Sequence, residues 1–144
     1  MLQPHPGCRS LVFRWSKQVQ KMNILGLSAI AIAKLIRDRE VSALAVMMQT
    51  LEQVERVQRA LNPFVTIAWD QAIEHAKRCD EQLLKGPPSN TAHLFGVPFT
   101  AKDLLNTFDL RTTYGSRAFE AFQPKADVVA IDRLRKAGAV LIGK

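Results

Sequence analysis

Lys102 is the residue whose setting points most directly to chemistry. It closes the stretch Leu94-Phe95-Gly96-Val97-Pro98-Phe99-Thr100-Ala101-Lys102-Asp103, in which the six residues from Gly96 to Ala101 carry no charge. An amine delivered by a short apolar run is expected to be buried. Burial disfavours the ammonium form and lowers a lysine pKa from about 10.4 by as much as several units. A lysine in that state accepts and returns protons near neutral pH. Asp103 need not cancel the effect, because neighbours on an extended strand face opposite sides. Other reactive side chains are poorly arranged: His5, His75 and His93 are scattered without ligand spacing, and the two cysteines, Cys8 and Cys79, support neither a disulfide framework nor a metal site. No metal or other cofactor is expected.

The elements that must position Lys102 follow from apolar spacing and stop signals. Ser28 is a good N-cap for a first helix carrying Ile32, Leu35 and Ile36 and ending near Arg39, with Leu27 placed to staple against Ile32. Ser42 caps a second helix to about Leu61, with the stripe Leu44, Met47, Leu51, Val54, Val57 (or Gln58) and Leu61. Asn62-Pro63 ends it, since the residue before proline avoids the α region. Phe64-Val65-Thr66-Ile67 has the composition of a strand, and a third helix is expected from Asp70 to Lys85. After the loop Gly86-Pro87-Pro88-Ser89-Asn90 comes a buried strand near Val97–Ala101, then an irregular segment through Tyr114-Gly115-Ser116. Asp127 is expected to cap a fourth helix, Arg135 and Lys136 suit its C-terminal end, and Gly138 supplies a left-handed stop. Ala139-Val140-Leu141-Ile142 is apolar on both faces, as a central parallel strand requires. Helices alternating with such strands predict an α/β fold with a parallel sheet and a right-handed crossover from Val97 to Ile142.

Bulk properties bound the partners. A chain of 144 residues with 47% hydrophobic and 23% charged residues is one domain's worth of ordinary globular sequence. The apolar stretch from Ile24 to Ala33 is far short of the roughly 20 residues a membrane span needs. The net charge of +7 is uneven: Arg9, Arg14, Lys17 and Lys21 put four cations and no acid into residues 1–21. That segment reads as a basic, disordered leader or upstream extension, with Met22 a suitable native start and residues 22–144 the domain. A nucleic-acid or anionic-membrane arm and a transit-like peptide are the other readings. No signal-peptide pattern is visible, which points to a reducing cytoplasm, and nucleic acid is not an expected partner of the folded body.

Gly96-Val97-Pro98-Phe99-Thr100-Ala101-Lys102-Asp103 resembles the G-[VI]-P-x-x-x-K-D segment of the amidase signature family. Thr112-Thr113-Tyr114-Gly115-Ser116 matches that family's T-T-x-G-S, and the run from Asp127 through Arg133-Leu134-Arg135-Lys136-Ala137-Gly138-Ala139 to Gly143-Lys144 looks like its D-x-x-x-x-x-R-L-R-x-A-G-A-x-x-x-G-K. Leu27-Ser28-Ala29, Val41-Ser42-Ala43 and Leu61-Asn62-Pro63-Phe64 are similar to its N-terminal helices. The resemblance spans roughly Leu27 to Lys144 and about the first quarter of a family domain. It implies a central mixed or parallel sheet flanked by helices, incomplete in these residues. It also implies acyl transfer on a linear carboxamide by a lysine, a bridging serine held through a cis peptide, and a nucleophilic serine in a Gly-Gly-Ser-Ser-Gly-Gly-type loop. By match, the lysine is Lys102. Thr112, Thr113, Gly115 and Ser116 read as turn and supporting residues.

The sequence departs from the family pattern at Asp109, where Gly is usual, at Arg111, where Pro is frequent, and at Ala45, where Glu is common. An Asp in a glycine position would strain a left-handed turn. Neither catalytic serine is present in these 144 residues, so the chain alone is expected to be inactive, as the N-terminal part of an amide hydrolase. The same family includes the A subunit of a tRNA-dependent amidotransferase, which releases ammonia from glutamine; the residues that would discriminate it lie beyond Lys144. A non-catalytic interaction module is the third reading. The strand Ala139–Ile142 is expected to lack neighbours on both sides, exposing an edge that invites self-association or a complementing C-terminal segment.

Overall fold

The computed structural model describes residues 23–144, so the proposed leader and Met22 lie outside the described residues. The first helix, α1, runs Ala29–Arg37, and Ser28 caps it by accepting from the Ala31 amide at 3.2 Å. The second, α2, runs Ala43–Leu61 and is capped the same way by Ser42, which accepts from Ala45 at 3.0 Å. Its apolar stripe faces the core as far as Val54, whereas Leu61 is 75% exposed. Asn62 closes the helix in the left-handed conformation (φ 48°, ψ 48°), and the Gln58 side chain bonds both N–H and C=O of Phe64 at 3.0 Å, turning the chain back. The third helix, α3, spans Trp69–Lys85, starting one residue before the expected Asp70, with Ala72, Ile73, Ala76 and Leu83 buried. Among the described residues, no helix is long and apolar enough to cross a membrane.

Two short strands follow, β1 (Pro98–Thr100) and β2 (Val140–Gly143), and they pair in parallel. Between them lie an irregular segment and α4 (Val129–Lys136). Gly138 turns out of α4 at φ +86°, where an added Cβ would sit 2.9 Å from the Phe95 Cα. Asp127 does not cap α4: Val128 holds the cap position without a side-chain bond. Asp127 instead accepts from the Phe108 amide at 2.8 Å and pairs with Arg135 at 3.0 Å. A guanidinium on the helix it was expected to cap outcompetes the free amides of the first turn.

β2 is the centre of the molecule, and every one of its residues is buried. Val140 and Ile142 join the large cluster built on α1, α2 and α3, whereas Leu141 joins a second cluster with Ala68, Ala101, Leu110 and Ile131. The alternation is that of a strand whose two faces are both covered. Its neighbours are both present, contrary to the expectation of an unpaired edge. β1 lies on one side. On the other, residues 65–68 run antiparallel, with the Lys144 carbonyl accepting from Val65 at 2.7 Å and Thr66 at 3.2 Å. Lys144 N–H donates to Thr66 at 2.8 Å, and Ala68 N–H to Ile142 at 2.9 Å. The strand expected at Phe64–Ile67 is thereby reduced to a bridge, Ile67 to Gly143, and the sheet is mixed.

Candidate active site

Lys102 stands two residues beyond β1, on a corner of backbone fixed from both sides. The Ala101 N–H donates to the Gly143 carbonyl at 3.0 Å, and the Lys102 carbonyl accepts from Leu105 at 2.9 Å. Its side chain is exposed, not buried as the apolar run suggests. The uncharged residues before it do enter the core, Val97 and Ala101 both being 5% exposed. The strand ends at Thr100, and the chain turns outward before the amine is reached.

The next residue faces inward. Both carboxylate oxygens of Asp103 accept from the Thr113 N–H, at 3.1 and 3.2 Å, and one also accepts from the Thr113 hydroxyl. The Asp103 carbonyl accepts from Tyr114 N–H at 3.1 Å, so the Thr112-Thr113-Tyr114 turn is docked onto the lysine's corner. Tyr114 takes φ 52°, and its hydroxyl donates to Asn106. Ser116 is exposed, and its hydroxyl accepts from Ala118 N–H at 3.3 Å to cap a short 3-10 turn, Arg117–Phe119.

The buried lysine of this region is Lys144, whose side chain has no exposed surface. Its amine donates to the Leu105 carbonyl at 2.6 Å and to the Thr112 hydroxyl, and lies 3.7 Å from Asp103. Burial pushes its pKa below the ordinary lysine value, while the negative charge of Asp103, and more weakly Asp109, acts the other way. An amine beside a hydroxyl is a pairing that could serve as base and nucleophile, but here the amine donates the bond. Thr112 is also 0% exposed, so no substrate reaches that pair. Sequence reasoning assigned Lys144 only to the end of a motif. The signal was available: Ala139–Gly143 is an uncharged run that delivers a lysine, as Gly96–Ala101 does.

Two departures from the family pattern have partners of their own. Asp109 does not adopt positive φ and forms an ion pair with Arg135, so the anticipated strain is absent. Arg111 ties three segments together, donating to the Thr66 hydroxyl at 2.9 Å, the Val65 carbonyl at 3.1 Å and the Glu120 carbonyl at 3.2 Å. A separate cleft of about 370 Å³ is lined by His75, Arg78, Cys79, Arg135 and Lys136, without Lys102. There burial pushes the Cys79 thiol up to about 11, leaving it protonated and unreactive at neutral pH.

Comparison with known proteins bears directly on this corner. The family model described as Amidase matches residues 45–144, which include Lys102, the Thr112–Ser116 turn and Lys144. The A subunit of the glutamyl-tRNA(Gln) amidotransferase of Carboxydothermus hydrogenoformans is 32% identical over 123 residues, covering 85% of this chain and 25% of that protein. The protein of the same name from Lachnospira eligens is 36% identical over 123 residues, again covering 85% of this chain and 25% of that protein. Among solved structures, the peptide amidase of Stenotrophomonas maltophilia superposes with a TM-score of 0.75 at 25% identity, covering 83% of this chain and 24% of that one. A bacterial aryl acylamidase superposes at 0.73 and 26% identity, covering 81% of this chain and 24% of that one. The chain thus spans about a quarter of the length of the relatives it matches.

Proposed function

Because the chain belongs to the Amidase family, we propose that it contributes the lysine of an amide-hydrolysing site, with Lys102 as the proton carrier. The observation that carries this reading is the exposed amine held on a doubly pinned corner at the end of β1, inside the matched segment. An exposed lysine on fixed backbone is available to a serine hydroxyl brought by further chain. The neutral amine would remove a proton from a bridging serine, which in turn takes the hydroxyl proton of the serine that attacks the carbonyl carbon. The resulting ammonium would return a proton to the departing nitrogen, giving ammonia or an amine, and water would then release the acid from the acyl-serine. These residues contain no Gly-Gly-Ser-Ser-Gly-Gly stretch. Turnover therefore requires the polypeptide that carries one, whether continuous with Lys144 or separate. The division into residues 1–21 and 22–144 and a cytoplasmic location belong to this proposal and rest on the sequence pattern alone.

The test is reconstitution with the remaining part of an amidase domain, followed by ammonia release from a primary carboxamide. Lys102→Met is expected to lower kcat by about 10²–10⁴-fold, the range supplied by a positioned acid–base group. Retention of full activity by Lys102→Met would remove Lys102 from the reaction. A second reading takes glutamine as the amide and a tRNA-dependent amidotransferase as the assembly, favoured by the names of the curated relatives. Glutaminase activity that appears only with the companion chains and tRNA would support it over a free-standing amidase.

A further inference from the structure

A base lysine followed in sequence by an aspartate carries a built-in hazard. Asp103 is the nearest carboxylate along the chain, and a four-methylene stem lets an exposed Lys102 amine swing onto it. Such a pair would favour the ammonium and occupy the amine, disabling it as a proton acceptor. The structure shows where that carboxylate goes instead. It is drawn inward by the Thr113 N–H and hydroxyl and faces the Lys144 ammonium at 3.7 Å. Lys144 is itself locked by the Leu105 carbonyl and the Thr112 hydroxyl. The carbonyl of Leu105 belongs to the same turn whose N–H holds Lys102, so the second lysine also closes the corner from beneath.

We propose that Lys144 is a positioning residue that keeps Asp103 turned away from Lys102 and so leaves the Lys102 amine free to act. This rests on the reading of Lys102 as the reactive amine, and it adds a role for a lysine with no access to substrate. The device is an inward counter-charge: Lys144 takes up the aspartate, and Thr112 and Thr113 hold both partners in register. Asp109, whose charge also reaches Lys144, is occupied by Arg135 and does not substitute for Asp103.

The test uses the full 144-residue chain and needs no turnover. Lys102 is modified with a limiting amount of a neutral activated ester at mildly alkaline pH, and the rate at the Lys102 peptide is read by mass spectrometry. Lys77, exposed in part on α3, serves as internal reference. In Lys144→Met, Asp103 loses its inward partner, and the Lys102 rate is expected to fall several-fold relative to Lys77. The double variant Asp103→Asn/Lys144→Met removes the carboxylate as well and is expected to restore the rate. A merely structural role for Lys144 predicts that the Lys102 rate follows the stability of each variant, read from its urea midpoint, whereas the proposal predicts recovery of the rate even where the double variant stays less stable than the wild type. An unchanged Lys102 rate in Lys144→Met, or a fall that Asp103→Asn does not reverse, overturns the proposal. If Lys144→Met does not fold, Lys144→Gln, which keeps a donor for the Leu105 carbonyl and the Thr112 hydroxyl but carries no charge, replaces it, with the same expected fall and the same rescue by Asp103→Asn. These outcomes are separate from the identity of the base: full activity of Lys102→Met in the reconstituted enzyme would overturn that reading even where the labelling pattern holds.

Discussion

Two lysines end two apolar strands, and the difference between them is one residue of geometry. β2 stays in the sheet through Gly143, so the Lys144 side chain turns under the Thr112 turn and is buried. β1 ends at Thr100, two residues before Lys102, and the amine emerges. Local sequence marks both as unusual without saying which one goes inside, because that depends on the pairing of Gly143 with Thr100 across a register shift. The candidate base was therefore legible from its motif, and its environment was not. The buried lysine has a thermodynamic consequence. Its pKa in the folded chain lies below the ordinary value of 10.5, so between the two values the unfolded chain binds more protons. Stability from this group consequently rises with pH across that window, is complete above about 10.5, and is lost as pH falls through the folded value. Urea denaturation of the wild type and of Lys144→Met at a series of pH values up to 10.5 should show the wild type gaining stability relative to the variant towards the alkaline end. A difference that stays flat with pH would mean that Lys144 is solvated.

The helices hold the sheet by contacts at their ends as much as by their stripes. Asp80, in the second half of α3, accepts from the Ala43 amide at 2.7 Å and the Leu44 amide at 3.1 Å, and Ser42 accepts from Ala45. Three of the four free N–H groups that open α2 are thereby satisfied, two of them by a neighbouring helix. Asp80→Ala should cost about 1–3 kcal/mol, since it leaves two partly buried donors unpaired. Ser42→Ala should cost about 1 kcal/mol. Both are read from urea midpoints, and a larger loss for Ser42→Ala than for Asp80→Ala would reverse this ranking. Sequence could give the local half of this arrangement. Ser28 and Ser42 cap helices because the bond spans three residues and needs no tertiary partner. Asp127 looks equally like a cap but is claimed by Arg135 and the Phe108 amide, and Asp80 caps a helix 36 and 37 residues away along the chain. Neither outcome is visible to a local rule. The strand at Phe64–Ile67 fails for a similar reason: its partner, the end of β2, offers only the Lys144 and Ile142 carbonyls and the Lys144 amide.

The described residues form two apolar clusters separated by one strand, and the closeness of residues 65–68 to that strand keeps them together. Gly143 is where the two meet. An added Cβ would lie 2.6 Å from the Thr66 carbonyl oxygen and 3.2 Å from both the Ile67 Cα and the Phe64 ring. The nearest obstacle is backbone, so a rotamer change cannot relieve it. Gly143→Ala must push residues 64–67 outward, breaking the bonds of Val65, Thr66 and Lys144 across the gap and loosening Arg111, which grips Val65 and Thr66. A loss of about 3 kcal/mol or more is the expected scale for overpacking combined with lost buried hydrogen bonds. The structural response should be local in a particular way. Amide exchange should accelerate at Thr66, Ala68 and Lys144, while the interior of α2, which rests on the other side of the large cluster, stays protected. Lys144 would also gain solvent access, so its acylation by an activated ester, expected to be negligible in the wild type, should become measurable. Faster exchange throughout α2 to the same degree would mean that the two clusters melt as one unit. Unchanged stability would mean that residues 64–67 are held loosely enough to yield, and that β2 does not depend on them for its place in the core.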